Sequence, residues 1–213
     1  MATRKKNPES PAVERFTLFY GGIFSQWYHS PFVVDGVQYN CAEQYMMAKK
    51  ALLFGDTPRH ARIMASTDPS EQKAIGKAVV RFRKSVWQAV ARDVVARASL
   101  AKFTSTPTLY EGLMATRGTT LVEASPMDVV WGIGLAEWDP DALDRSKWRG
   151  TNWLGQGLTD LREHLIALEQ QVVRGFVGEE DRQVHPTLLS DPRSNARMAE
   201  LDAAEDARRR GGR

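Results

Sequence analysis

The chain is poor in the residues that most often announce a function. It has one cysteine, Cys41, among 213 residues. That excludes an intramolecular disulfide and a cysteine-based zinc cluster. Its four histidines, His29, His60, His164 and His185, have no metal-ligand spacing such as H-x-x-x-H, and no metal or other cofactor is expected. His60 or His29 could serve Cys41 as a base, but nothing in their spacing selects either, and Cys41 reads most simply as a small buried residue. No apolar run approaches a membrane span, and the first residues, Met1-Ala2-Thr3-Arg4-Lys5-Lys6, lack the apolar segment of a signal peptide, so a cytoplasmic protein is expected. A charge excess of one sign is also missing. The formal net charge is +3 with the signs mixed along the chain, unlike the basic stripe of a dedicated duplex-DNA binder, though a polyanionic ligand stays open.

What the chain does have is 42% apolar residues, enough for one full core with tails. Residues 1–14 read as a disordered basic tail, 15–175 as the domain, and 176–213 as a charged tail that is disordered or a loose helix. Phe16 to Tyr20 is strand-like. Phe24-Ser25-Gln26-Trp27-Tyr28 is an aromatic-rich turn, and Asp35-Gly36 is the two-residue turn of a hairpin. Helices then dominate. Thr57-Pro58, Asp68-Pro69 and Thr106-Pro107 mark three helix starts. Ser85 to Gln88 reads as a capping box, opening a helix with Trp87, Val90, Val94 and Ala98 on one stripe. Gly118 closes the helix begun at Thr106. Thr119–Ala124 and Val129–Trp131 read as short strands about the turn Ser125–Asp128. Asn152 opens a last helix carrying Leu154, Leu158, Leu161, Leu165 and Leu168, ended by Gly175. The fold class is therefore α+β: one predominantly helical domain with a few short strands.

The stretch Asn40–Phe54 organises the rest. It reads as a helix capped by Asn40, with Glu43 reaching back to the Asn40 amide. Tyr45, Met46, Leu52, Leu53 and Phe54 supply a buried surface. Glu43, Met47 and Lys50 share a stripe, which sets a carboxylate and an amine about two turns, roughly 10 Å, apart along one face. Lys49 lies well round the helix, toward solvent. Two readings of the pair stand: a cap and a snorkelling surface lysine, or a desolvated amine fit for nucleophilic or Schiff-base chemistry. Other polar candidates are Glu123 in its strand, Asp128 in the turn before Trp131, and Asn152 at a helix start, where backbone amides can hold an anion. Each also has a plain structural reading, as an outward-facing side chain, a turn residue or a cap.

Several of these segments, in this order, resemble the NADAR (NAD- and ADP-ribose-associated, or YbiA-like) family. They are Phe24-Ser25, Phe32-x-x-Asp35-Gly36, Ala42-Glu43-Gln44-Tyr45 through Lys50-Ala51, Ala101-Lys102-Phe103, Leu121-Val122-Glu123-Ala124-Ser125-Pro126-x-Asp128-x-x-Trp131-Gly132-x-Gly134, and Asn152-x-Leu154-Gly155. The resemblance covers about residues 16–170. It implies an N-glycoside hydrolase that cleaves a ribosyl–nitrogen bond. The substrate would be ADP-ribosylated guanine in a nucleotide or DNA or, in another branch, a phosphoribosyl-amine intermediate of riboflavin synthesis. The resemblance implies Lys50 as the Schiff-base lysine and Glu43 as the helix-start glutamate. On this basis Lys50, Glu43, Asp128 and Glu123 are the expected catalytic residues. Phe24, Ser25, Tyr45, Trp87, Trp131, Gly132, Asn152 and Gly155 are the expected substrate contacts, the amides of Asn152–Gly155 taking a phosphate. Two positions depart from the family: Gln26 stands where Asn is frequent, and Ile133 where some members, riboflavin-branch enzymes among them, carry Asp. A non-catalytic ADP-ribose or NAD-derivative reader is the alternative from another class.

Overall fold

A computed structural model of the protein describes residues 14–176. They divide after His164; residues 14–164 form the unit that carries the polar candidates, and 165–176 belong to a second unit, where they continue the last helix. Both proposed tails lie almost wholly outside the described residues.

Strand β1 (Phe16–Phe19) pairs in parallel with β4 (Thr120–Glu123), Phe16 opposite Thr120 and Phe19 opposite Glu123. Strands β2 (Phe32–Val34) and β3 (Val37–Tyr39) form the expected hairpin. Its turn residues Asp35 and Gly36 have φ of 52° and 76°, as a two-residue type I′ turn requires. Among the described residues six α-helices accompany these strands: α1 (Ala42–Leu53), α2 (Thr57–Ala65), α3 (Pro69–Lys77), α4 (Lys84–Phe103), α5 (Pro107–Met114) and α6 (Trp153–Phe176). The architecture is α+β and predominantly helical.

α1 is central: it packs against α2, α3 and α4, and nine of its residues are buried. Its aromatic end is fixed by Tyr45, whose ring lies 4.9 Å from Tyr39 and 6.2 Å from Phe32. Close approach of α3 depends on Gly76, where a Cβ would fall 2.0 Å from the Met47 sulfur. Behind β4, Val122, Ala124, Ile133, Leu135 and Ala142 form an apolar cluster with Phe16, Leu18 and Trp148 against it. The core position of Ile133 explains why an apolar residue suits that site.

Several local expectations need correction. Val129–Trp131 is not a strand: Asp128 Oδ1 accepts the amides of Val130 (2.9 Å) and Trp131 (2.7 Å), which bends the chain away from extended geometry. Ser85 caps nothing, because α4 already begins at Lys84, with Arg83 before it and no side-chain cap bond. The buried line of α4 runs Ala91, Val95, Ala98 and Lys102, with Trp87, Val90 and Val94 half-buried beside it. Asp56, not Thr57, caps α2, accepting the Arg59 amide, while Asp68 and Thr106 cap as expected. α5 stops at Met114, and Gly118 lies in the turn beyond it. Gly175 lies inside α6. Leu52, Leu53 and Leu168 are exposed rather than buried.

Candidate active site

The α1 N-terminus is built differently from the expected capping box, and the difference creates the site. Cys41, not Asn40, occupies the cap position, with no side-chain cap bond. The reciprocal bond to the Asn40 amide comes from Gln44 Oε1, at 2.8 Å. Gln44 Nε2 in turn donates to the carbonyls of Ile63 and Ser66, each at 3.1 Å. Glu43 is thereby released from capping. Its amide donates to the Gln26 carbonyl at 3.0 Å, and its side chain is only 2% exposed with Oε1 meeting no donor. Burial pushes its carboxyl up to about 7. Asp128 adds to the rise, whereas Lys73, a hydrogen bond from Trp27 and Lys50 oppose it.

Two further acceptors share this condition. Gln26 Oε1 and Glu123 Oε2 are buried and meet no donor among the described residues. Glu123 ends β4, and burial followed by the charges of Asp128 and Glu43 raises its carboxyl to about 7, against the pull of Lys73. Asp128 is thus both a turn residue and the negative charge felt by both glutamates.

Lys50 is not splayed into solvent. It is 9% exposed, and its Nζ lies 4.4 Å from the Phe82 ring centroid and 5.9 Å from that of Trp87. Burial between these rings lowers its pKa, Lys77 adds to the depression and Glu43 resists it. A lysine so placed keeps more of its neutral, nucleophilic form than one in water. Lys49 is half-buried and rests over Tyr45, 5.3 Å from the centroid.

The structure therefore gathers Glu43, Lys50, Glu123, Asp128 and Trp87 into one electrostatic neighbourhood. Other expected contacts belong to the scaffold. Tyr45 is 1% exposed within its aromatic cluster and offers no face to a ligand. Phe24 packs between Phe19 and Phe103. Ser25 braces its own loop: its Oγ accepts the Trp27 amide, and its carbonyl accepts Lys102 Nζ at 2.8 Å. Asn152 clamps β4, accepting the Glu123 amide and donating to the Leu121 carbonyl, each at 3.0 Å. The amides of Asn152, Trp153 and Leu154 donate to the carbonyls of Gly132, Val130 and Trp131, so three of the four amides of the expected phosphate cradle are already taken. Gly132 and Gly155 are there for close packing: a Cβ would fall 2.8 Å from the Glu123 carbonyl oxygen at the first and 2.2 Å from the Leu121 carbonyl oxygen at the second. Trp131 sits edge-on to Trp153 and lines an α4–α6 groove of about 610 Å³, which neither Glu43 nor Lys50 reaches.

Three residues outside the expected site set also contribute, of which only Lys102 stood in a family-like segment. Lys73 influences both glutamates, and its Nζ lies 5.5 Å from the Trp27 ring centroid. Phe82 covers Lys50. Lys102, 2% exposed, is pushed down to about 7 by burial and holds the Ser25 loop. Only the last had a signal, a lysine one turn beyond Ala98 on the buried side of α4.

The NADAR domain matches residues 18–166. The chain is 37% identical over 168 residues to Protein irg-1 of Caenorhabditis elegans, covering 70% of this chain and 79% of that protein. It is 37% identical over 163 residues to N-glycosidase R617 of Acanthamoeba polyphaga mimivirus, covering 70% of this chain and 96% of that one. The solved NMR structure of E. coli YbiA superposes with a TM-score of 0.62 at 28% identity, covering 80% of this chain and 96% of that one. These likenesses place the protein among glycosidase enzymes. The chain belongs to the NADAR domain family.

Proposed function

We propose that the protein hydrolyses a ribosyl–nitrogen bond, with ADP-ribose attached to guanine in a nucleotide or nucleic acid as its substrate. The observation that carries this reading is the trio of buried, donorless oxygens on Gln26, Glu43 and Glu123. Buried acceptors without partners are expensive. A ribose presents several hydroxyl donors, and a departing amino-purine presents N–H donors, so such a ligand supplies what these oxygens lack.

In the proposed chemistry the neutral Lys50 amine adds at the anomeric carbon. The carbon–nitrogen bond to the base breaks, and the protonated Glu43 carboxyl gives its proton to the departing nitrogen. As the ring opens, a proton passes from the added nitrogen to the ring oxygen, giving a protonated lysine imine that takes up one water to release ribose aldehyde and regenerate the neutral amine. Glu123, with the Asp128 charge behind it, accepts the proton of that water, and its return to Glu43 restores the starting state. Carboxyls titrating near 7 suit both directions of proton transfer at neutral pH.

The test is chromatography of products after incubation with ADP-ribosylated guanosine, other ADP-ribose conjugates and phosphoribosyl-aminopyrimidines. Release of guanosine is the expected result. Release only from the aminopyrimidine moves the substrate to the riboflavin branch. Tight binding of ADP-ribose without release of any base makes the protein a reader.

A further inference from the structure

We propose that Lys73 and Lys77 of α3, with Trp27 beside them, form a subsite for the phosphates attached to the ribose, a role for which most amides at the α6 start are already taken. This rests on the reading that the substrate is a phosphorylated riboside.

Positions 73 and 77 are four apart, so their side chains rise from one face of α3 about 6 Å apart. Gly76 seats α3 on α1 at Met47, the middle of the Glu43–Met47–Lys50 stripe. The two lysines consequently stand beside opposite ends of that stripe. Lys73 acts on Glu43 and Glu123, whereas Lys77 acts on Lys50. Among the described residues neither lysine has a carboxylate within ion-pair distance. Lys77 disfavours the charged form of Lys50, and an anion held between Lys73 and Lys77 would offset that repulsion.

Trp27 gives the subsite direction. The residue is 43% exposed, its ring lies under Lys73 at 5.5 Å, and it is close enough to Glu43 to favour that group's charged form. One residue thus joins the carboxylate that faces the sugar to the cation that would face the phosphate. The basic wall and the acceptor-lined floor match the two ends of a ribose phosphate, one anionic and one rich in donors.

The experiment is calorimetric titration of the full chain with ADP-ribose at low and high salt. Wild type is expected to bind with an affinity that falls as salt rises. Lys73→Gln/Lys77→Gln is expected to bind about tenfold more weakly or worse at low salt, with an unchanged Tm, while Lys73→Arg/Lys77→Arg retains binding. Equal affinity of the Gln variant and wild type overturns the subsite, as does wild type that binds no ADP-ribose. Lysine-dependent binding without release of base from any ribosyl–nitrogen substrate leaves the subsite standing and removes the hydrolase reading.

Discussion

Two parts of the molecule carry buried polar groups of similar kind, and their fates differ. At the start of α6 the Asn152 side chain and the first three amides are matched. Asn152 uses both ends of its amide on β4, and the next amides donate to the loop carbonyls of residues 130–132. At the start of α1, Gln44 does the capping and Glu43 is left with an unmatched oxygen, as are Gln26 and Glu123. Satisfied polar groups hold a fold together; unsatisfied ones are kept for something else. The first region reads as scaffold and the second as the proposed site, although the residue types alone suggested a ligand role for both.

The largest effect should come from the amine. Lys50→Ala is expected to lower kcat by about three orders of magnitude or more, the range for loss of a covalent catalyst's nucleophile, while near-ultraviolet circular dichroism and Tm stay close to wild type. Retained turnover would reduce Lys50 to a surface residue with a buried stem.

Next come the two glutamates. Glu43→Gln and Glu123→Gln should each reduce kcat by roughly 10²–10⁴-fold, as for loss of a general acid or base. Wild-type kcat/KM should form a bell about neutrality, because both groups titrate near 7. A limb should vanish in each variant. An unchanged bell in both would show that these carboxyls carry no proton in the reaction.

Asn152→Ala should break the comparison from the other side. It leaves the Glu123 amide and the Leu121 carbonyl unmatched, at about 1–3 kcal/mol for each buried group, read as a lower midpoint in urea. Surviving folded protein should keep its KM for substrate. A raised KM with unchanged stability would return Asn152 to the ligand-binding set.

The smallest effect is on stability against pH. A carboxyl at about 7 in the fold and 4.5 in an unperturbed state favours folding fully below 4.5 and loses that contribution as pH rises through 7. Glu43→Gln keeps a neutral side chain throughout. Its Tm relative to wild type should therefore climb between pH 4.5 and 7 and level off above, with each kcal/mol worth roughly 2–4 °C at this size. A flat difference would mean that Glu43 is not desolvated.

Much of this was legible in the chain. The hairpin turn, the proline-marked helix starts and the Glu43–Met47–Lys50 stripe follow from local rules of period and capping. What escaped is of two kinds. Gln44 and Glu43 compete for one cap from adjacent positions, and the winner is chosen by the Ile63 and Ser66 carbonyls from a different helix end. Lys73 enters through Gly76 meeting Met47, a contact between segments about thirty residues apart. Both are tertiary facts with no local trace. The same holds for Val129–Trp131, where Asp128 overrode strand propensity by capturing two amides.

Borohydride added during turnover of ADP-ribosylated guanosine, followed by peptide mass spectrometry, tests the central claim most directly. A reduced ribose adduct is expected on the peptide containing Lys50, absent from Lys50→Ala. An adduct on Lys73 instead, or none while guanosine is released, would contradict it.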